Sequence, residues 1–159
     1  MGLDPGVVNT GYAVIDFKEK APVILDYGCI RTQSTTEFAV RLKYIYDNLV
    51  RIIQKHKPDS LALEEVIYVK NVKTALKMGH ARGVTLLAAS NNNLTTSEYS
   101  PKEIKLAATG NGAASKQQVK KMVVQLLNLP QSPSSFDVTD AMAAAICHGY
   151  RTMKNQIIL

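Results

Sequence analysis

The stretch SSFDVTDAMAAA, residues 134–145, decides both the fold and the chemistry that this sequence predicts. Ser134 and Asp137 have capping-box spacing, with Asp in place of the usual Glu or Gln, and the alanine-rich run that follows favours a helix. Asp137 and Asp140 then project from one helix face about one turn apart, so both can reach one metal ion. An isolated pair would more often only complement the positive end of the helix dipole.

Two further acids, Asp4 and Glu64, stand at the ends of predicted strands. Each follows a short apolar run, and a Pro-Gly break comes directly after Asp4. Taken separately, Asp4 could be a turn former and Glu64 an exposed acid. If the two strands are neighbours, four carboxylates converge, and such a cluster requires a cation to offset the repulsion. Oxygen ligands without Cys or His favour magnesium or manganese over zinc.

Length and composition limit the classes of protein that the chain can represent. With 159 residues, 46% of them hydrophobic, it is expected to form one domain, residues 1–159. No apolar run approaches the roughly 18 to 20 residues of a membrane span, and no export signal is recognisable, so we expect a cytoplasmic protein without membrane association. Cys29 and Cys147 are far apart, which predicts neither a disulfide framework nor a zinc motif.

The net charge of +6 is concentrated in two stretches without acids, residues 66–97 and 104–136. Their basic residues include Lys70, Lys73, Lys77 and Arg82 in the first stretch and Lys105, Lys116, Lys120 and Lys121 in the second. Three lysines of the first stretch share one helix face, which suits contacts to a phosphate backbone. A solvated helix face is the alternative, and we prefer it for the adjacent pair at 120 and 121.

The order of predicted elements indicates an α/β fold with a mixed sheet. The chain predicts a strand ending at Asp4, strands at 11–16 and 23–30, a helix opened by a Ser34/Glu37 capping box, a strand ending at Glu64, a helix from about Val72 to Ser90, a strand at 94–99, helices capped by Ser100 and Ser115, and the helix of Asp137. Three antiparallel strands followed by alternating strands and helices favour helices flanking a mixed sheet.

Gly79 and Gly83, four residues apart in the helix from about Val72 to Ser90, would allow another backbone to approach closely. Packing within one chain is the alternative explanation. We place a subunit contact on this helix, where Leu76, Val84 and Leu87 could supply apolar area.

The acids and lysines together indicate phosphodiester chemistry. Two divalent ions roughly 4 Å apart can activate water, orient a phosphodiester and stabilise the leaving oxygen, which requires several carboxylates at one place. Neighbouring lysines would stabilise the charge that develops on the phosphate. The residues therefore predict a metal-dependent nuclease or phosphoryl-transfer domain.

Six groups of residues extend this pattern over nearly the whole chain. They are GLDPG at 2–6 with TGY at 10–12, LEEV at 63–66, Asn71 with TAL at 74–76 and ARG at 81–83, SP at 100–101 with IK at 104–105, GNG at 110–112 with Lys116, and DVTDA at 137–141 with ICH at 146–148. In this order and spacing they resemble the RuvC family of bacterial Holliday-junction resolvases. The resemblance implies a ribonuclease-H-like α/β fold, a mixed five-stranded sheet flanked by helices, and a homodimer that nicks two opposing strands of four-way junction DNA symmetrically.

The resemblance also implies roles for individual residues. Asp4, Glu64, Asp137 and Asp140 would bind metal, with two Mg²⁺ ions per site and Mn²⁺ able to substitute, while Lys105 and Lys116 would lie near the scissile phosphate. The family's stacking aromatic residue is replaced here by Ile67, and Tyr68 follows it. We therefore add Tyr68 to the candidate DNA contacts, which are otherwise Lys70, Lys73, Lys77 and Arg82. The family also implies loading by a RuvA-RuvB branch-migration complex.

Three other functions are possible on sequence grounds. The Gly-x-Asp-x-Gly opening also resembles the phosphate loop of actin-like and sugar-kinase folds, but 159 residues are too few for their two lobes. A nuclease of the same fold that acts on RNA, similar to the YqgF group, is a closer alternative, against which Lys105 and Lys116 favour the resolvase. A non-catalytic junction-binding protein is the alternative from another class, and the intact acids argue against it.

Overall fold

The computed structural model describes residues 1–17, 21–65 and 71–156, which form a sheet with helices on both faces. The strands are β1 (Gly2–Asp4), β2 (Asn9–Asp16), β3 (Val23–Arg31), β4 (Ser60–Glu64) and β5 (Thr95–Tyr99), and the helices are α1 (Phe38–His56), α2 (Val72–Asn91), α3 (Pro101–Thr109), α4 (Lys116–Leu126) and α5 (Phe136–Gln156). Within these ranges, no helix has both the length and the apolar character needed to cross a membrane.

The sheet is mixed and has five strands, as predicted, and the structure shows that their order is β3-β2-β1-β4-β5. β2 runs antiparallel to β1 and β3, whereas β1, β4 and β5 are parallel. Leu3 pairs with Leu63 across the two central strands, so Asp4 and Glu64 follow at equivalent positions. Both acids therefore leave the sheet at the same edge.

Each face of the sheet has its own hydrophobic core. On one face, Leu3 and Leu63 lie in a cluster with Ile45 and Leu49 of α1. α5 covers the other face, where its buried alanines and Met142 pack on β1 and β2. Because side chains alternate along a strand, Asp4 and Glu64 point to the α5 face, opposite to the leucines that precede them.

Two glycines allow α5 to lie directly on the strands. A Cβ atom at Gly2 would collide with the carbonyl oxygen of Ala141, and one at Gly11 would collide with that of Asp137. Gly11 is also the cross-strand partner of Asp4. The close approach at Gly11 therefore brings the first turn of α5, with its carboxylate, next to the end of β1.

The helix starts confirm two predicted capping boxes and correct two others. Ser100 with Glu103 and Ser115 with Gln118 form reciprocal caps at α3 and α4. The box predicted from Ser34 is wrong, because a turn closed by Thr36 N and the Gln33 carbonyl occupies that stretch and α1 starts only after Glu37, which makes no side-chain cap.

At α5, the cap predicted for Ser134 belongs instead to the next residue. The Oγ of Ser135 accepts from the Asp137 amide at 3.2 Å and donates to the Asp137 carboxylate at 2.5 Å. The helix starts at Phe136, which leaves Ser135 as its cap residue. The hydrogen bond from Ser135 therefore fixes one carboxylate oxygen of Asp137 at the start of α5.

Candidate active site

The structure brings the four predicted acids together at one edge of the sheet. Asp4 ends β1, Glu64 ends β4, and Asp137 and Asp140 occupy the first turns of α5. Burial raises the pKa of Asp4 to about 7, and the negative charges of the three other acids add to the rise. Burial also raises the pKa of Glu64, with Asp140 as the next cause. The four carboxylates thus repel one another in a partly desolvated cluster.

The chemistry of this donor set fits hard divalent cations. Its donors are carboxylate oxygens, the ligands that magnesium and manganese prefer, and their mutual repulsion is the kind that a divalent cation relieves. In the described ranges, no three Asp, Glu, His or Cys side chains are oriented as a ready-made metal cage. Asp140 instead pairs with an ammonium group and Asp137 with the Ser135 hydroxyl, each through one of its two carboxylate oxygens.

Both predicted lysines border the acids. Lys116 is the first residue of α4, and its Nζ lies 2.9 Å from the Asp140 carboxylate. The hydrogen bond to Asp140 is the main cause that raises the pKa of Lys116, and 69% of the side chain remains exposed. Lys105 is half-buried on α3, and its charge acts to lower the pKa of Glu64. Two cations therefore lie on the side of the cluster that α3 and α4 form.

The loop that follows Asp4 is held by residues that the sequence interpretation missed. Arg41 is buried, and its guanidinium donates to the Thr32 hydroxyl at 2.9 Å and to the Val7 carbonyl at 3.1 Å. Thr32 donates to the same carbonyl at 2.5 Å. From the other side, the buried hydroxyl of Thr10 donates to the Gly6 carbonyl at 2.7 Å.

The sequence of α1 contains a signal for the Arg41 contacts with this loop. Its buried positions recur every four residues as Arg41, Ile45, Leu49 and Ile53, so an arginine occupies a place where the pattern calls for an apolar residue. A buried guanidinium requires hydrogen-bond acceptors close by, which the loop supplies. The partner residues themselves are 9 and 34 positions away along the chain and do not follow from the pattern.

The other candidate DNA contacts fall into three groups. Lys73 and Lys77 are exposed on α2, and their contact with DNA stays a prediction. Arg82 donates to the Glu64 carbonyl at 2.9 Å, and its Nη2 lies 2.6 Å from the Glu98 carboxylate without hydrogen-bond alignment. This geometry favours a structural anchor for the end of β4 over a DNA contact. Tyr68, Lys70 and the neighbouring Ile67 lie outside the described residues.

Comparisons with known proteins cover nearly the whole chain. The profile of the crossover junction endodeoxyribonuclease RuvC matches residues 1–148. The chain belongs to the RuvC family. A crossover junction endodeoxyribonuclease RuvC from Desulforamulus reducens is 46% identical over 148 residues, which are 93% of this chain and 91% of that protein. The one from Shewanella putrefaciens is 44% identical over 159 residues, 100% of this chain and 90% of that protein.

Solved structures confirm the predicted ribonuclease-H-like fold of this RuvC family member. Thermus thermophilus RuvC in complex with a Holliday junction substrate superimposes with a TM-score of 0.92 at 27% identity, covering 97% of this chain and 94% of that one. The yeast mitochondrial Holliday junction resolvase Ydc2 has a TM-score of 0.62 at 17% identity, which shows the shared fold alone. Membership of RuvC makes the chain a divalent-metal-dependent nuclease.

The raised pKa of Asp4 predicts how the stability of this RuvC protein depends on pH. The folded state binds the Asp4 proton more tightly than the unfolded state does, since the pKa of Asp4 in the unfolded state is near 3.8. The stability that this bound proton gives to the folded state is therefore fully present below about pH 4 and is lost as pH rises to about 7. We expect Asp4→Asn to raise the free energy of unfolding in EDTA at pH 8 by up to about 4 kcal/mol, and much less at pH 4.

Urea unfolding at pH 4, 6 and 8 measures this difference. Glu37→Gln serves as the matched control, because Glu37 is exposed ahead of α1 and makes no side-chain cap bond, and its substitution should leave the pH profile nearly unchanged. Parallel pH profiles for wild type and Asp4→Asn would contradict the prediction.

Proposed function

We propose that this chain resolves four-way DNA junctions by paired, symmetric nicks in recombination and repair. The observation that carries the proposal is the cluster of Asp4, Glu64, Asp137 and Asp140 beside Lys116, in a chain that matches RuvC proteins almost from end to end. The Holliday junction in the Thermus thermophilus complex supports the same substrate for this chain. A DNA substrate also agrees with the expected cytoplasmic location and with delivery by a RuvA-RuvB branch-migration complex.

The four acids would hold the divalent cations, which we propose to be two Mg²⁺ per site, replaceable by Mn²⁺. When bound, the cations supply an activated water and stabilise charge on the phosphate. The protein's own part is to fix the acids on β1, β4 and α5 and to present two ammonium groups. Lys116, largely exposed and anchored at Asp140, can reach a phosphate oxygen without leaving the site, and Lys105 approaches from the adjoining helix.

Cleavage of a labelled four-way junction in Mg²⁺ tests the proposal. We expect paired nicks at symmetric positions and no comparable cleavage of a linear duplex of the same sequence. Binding of the junction without nicking would favour the junction-binding alternative. Cleavage confined to RNA or to RNA–DNA hybrids would favour the YqgF-like alternative.

Symmetric nicking requires two sites, and α2 offers a face on which a second copy can dock. An apolar groove of about 730 Å³ runs along this helix and includes Leu42, Leu76, Gly79, Gly83 and Leu87. Leu76 and Leu87 are each more than half exposed. Among the described residues, a Cβ atom at Gly79 or Gly83 would meet no atom beyond its own stretch of helix within 4 Å, so packing within this part of the chain does not require these glycines. We propose that the groove is the homodimer interface.

Gly83→Leu is expected to convert the dimer to a monomer, because the added side chain would separate two closely approaching helices. Sedimentation velocity measures the change. Thermal unfolding checks that the variant remains folded, which we expect because the space around Gly83 is open. Leu106→Lys is the matched control, since Leu106 is similarly exposed but lies on α3 outside the groove. A wild-type monomer, or a dimer that Gly83→Leu leaves intact, would refute this interface.

A further inference from the structure

Near the middle of α5, His148 uses both of its ring nitrogens to join two strands of the sheet. Its Nε2 lies 2.7 Å from the Ser60 hydroxyl at the start of β4, and its Nδ1 lies 2.7 Å from the Tyr99 hydroxyl at the end of β5. We propose that His148 is a positioning residue for nicking, which holds Tyr99 and the start of α3 so that Lys105 faces the acids. This inference rests on the proposed function and on the place of Lys105 in it.

Tyr99 connects the edge of the sheet that carries the acids to α3. It pairs with Glu64 where β4 and β5 run parallel, and its carbonyl accepts from the Glu65 amide at 2.8 Å. Paired residues share a face of the sheet, so Tyr99 and Glu64 both point towards α5. The next residue, Ser100, is the cap of α3. The bond between Tyr99 and His148 therefore ties the origin of α3 to the helix that carries two of the acids.

A second contact from α5 reaches the same helix start. Arg151 lies about one turn beyond His148, and its Nη2 donates to Oε1 of Glu103 at 2.7 Å. The other carboxylate oxygen of Glu103 accepts from the amide and the hydroxyl of Ser100, at 2.9 Å and 2.7 Å. This ion pair is solvent-exposed and contributes little, so the partly buried bond between His148 and Tyr99 provides the stronger constraint.

Apolar packing by itself does not set the rotation of α3 about its axis. The buried residues of this helix are Ile104 and Ala108, which lie in the core on the α5 face. Apolar contacts have no preferred direction, whereas hydrogen bonds do, so the bonds at the helix start decide how α3 is turned. A rotation of about 20° moves a group about 6 Å from the axis by about 2 Å. Because a misplacement of about 1 Å can lower a rate about 100-fold, the reach of Lys105 depends on this orientation.

Tyr99→Phe tests the proposal, because it removes the hydroxyl that bonds to His148 and keeps the ring. We expect single-turnover nicking at saturating protein and Mg²⁺ to fall about tenfold, with junction affinity within about twofold of wild type. Lys105→Ala should lower nicking about 30-fold in the wild-type protein but only about threefold in the Tyr99→Phe protein, where this lysine is already misplaced. His148→Ala should reproduce the effect of Tyr99→Phe and add little to it in the double variant.

Lys116→Ala provides the comparison within the site. Lys116 lies on α4 and is held at Asp140 by its own hydrogen bond, so its substitution should lower nicking about 100-fold in both the wild-type and the Tyr99→Phe proteins. A general loosening of the fold would reduce the cost of both lysine substitutions. A reduced cost of Lys105→Ala alone therefore separates positioning of α3 from a loss of overall structure.

Tyr46→Phe is the matched control outside the site. The Tyr46 hydroxyl accepts from Nδ2 of Asn91 at 2.8 Å, and its ring packs in the core on the α1 face of the sheet. Removing this hydroxyl should leave nicking within about twofold of wild type and the cost of Lys105→Ala at about 30-fold.

The outcomes distinguish this inference from the proposed function. An equal cost of Lys105→Ala in the wild-type and Tyr99→Phe proteins would overturn the positioning role and leave the proposed function standing. The same holds if Tyr99→Phe lowers the cost of Lys105→Ala and of Lys116→Ala alike. A wild-type protein that does not nick junctions would overturn the proposed function together with this inference.

Discussion

Asp137→Asn is expected to lower single-turnover nicking of a four-way junction by at least about 1,000-fold, corresponding to about 4 kcal/mol of transition-state stabilisation. The amide removes the negative charge of a proposed metal ligand but can keep the bond with Ser135 that orients the side chain. Junction affinity measured without divalent metal should be unchanged or higher, because one source of repulsion towards phosphate is gone. Binding and chemistry should therefore separate in this variant.

Asp59→Asn supplies the charge-matched control at a single pH, because the exposed Asp59 precedes β4, at the opposite end of that strand from Glu64, and its loss should alter neither property. Thermal unfolding of both variants separates a catalytic effect from a folding defect. Nicking by Asp137→Asn at the wild-type rate would contradict the assignment of this acid to the metal site.

Lys116→Ala is expected to slow nicking at saturating protein by about 100-fold while weakening junction binding less than about threefold. The ammonium group of Lys116 is hydrogen-bonded to Asp140, and from this position it can stabilise the negative charge that develops on the phosphate. Lys121→Ala is the matched control, because Lys121 is exposed on the same helix without an ion pair to the acids. Equal losses in binding and in nicking by Lys116→Ala would make Lys116 a docking residue instead.

The four acids could be predicted because their directions follow from local geometry. A residue at a strand end, such as Asp4 or Glu64, points where the pleat sends it, and two acids three residues apart on a helix share a face. The mixed sheet likewise follows from the order of strands and helices. The assumption that β1 and β4 are neighbours went beyond local pattern, and their parallel pairing confirms it.

The features that the sequence did not predict depend on contacts between distant residues. The capping-box spacing with Asp137 favours Ser134, whereas the path of the chain into α5 selects Ser135. Arg82 belongs to a basic stretch, but its half-buried position turns it towards Glu98. The buried Arg41 finds its acceptors across the fold, so no pattern within α1 could identify them.

The direct contact of α5 with Gly2 and Gly11 affects which parts of the protein can vary. Where Gly2 and Gly11 meet the helix, no side chain separates the elements that carry the acids, so main-chain atoms set the spacing between the ends of β1 and α5. Substitutions elsewhere in the two cores can change side-chain volumes without changing that spacing. The interior of the protein is thus free to diverge while the distance between its reactive groups stays constant.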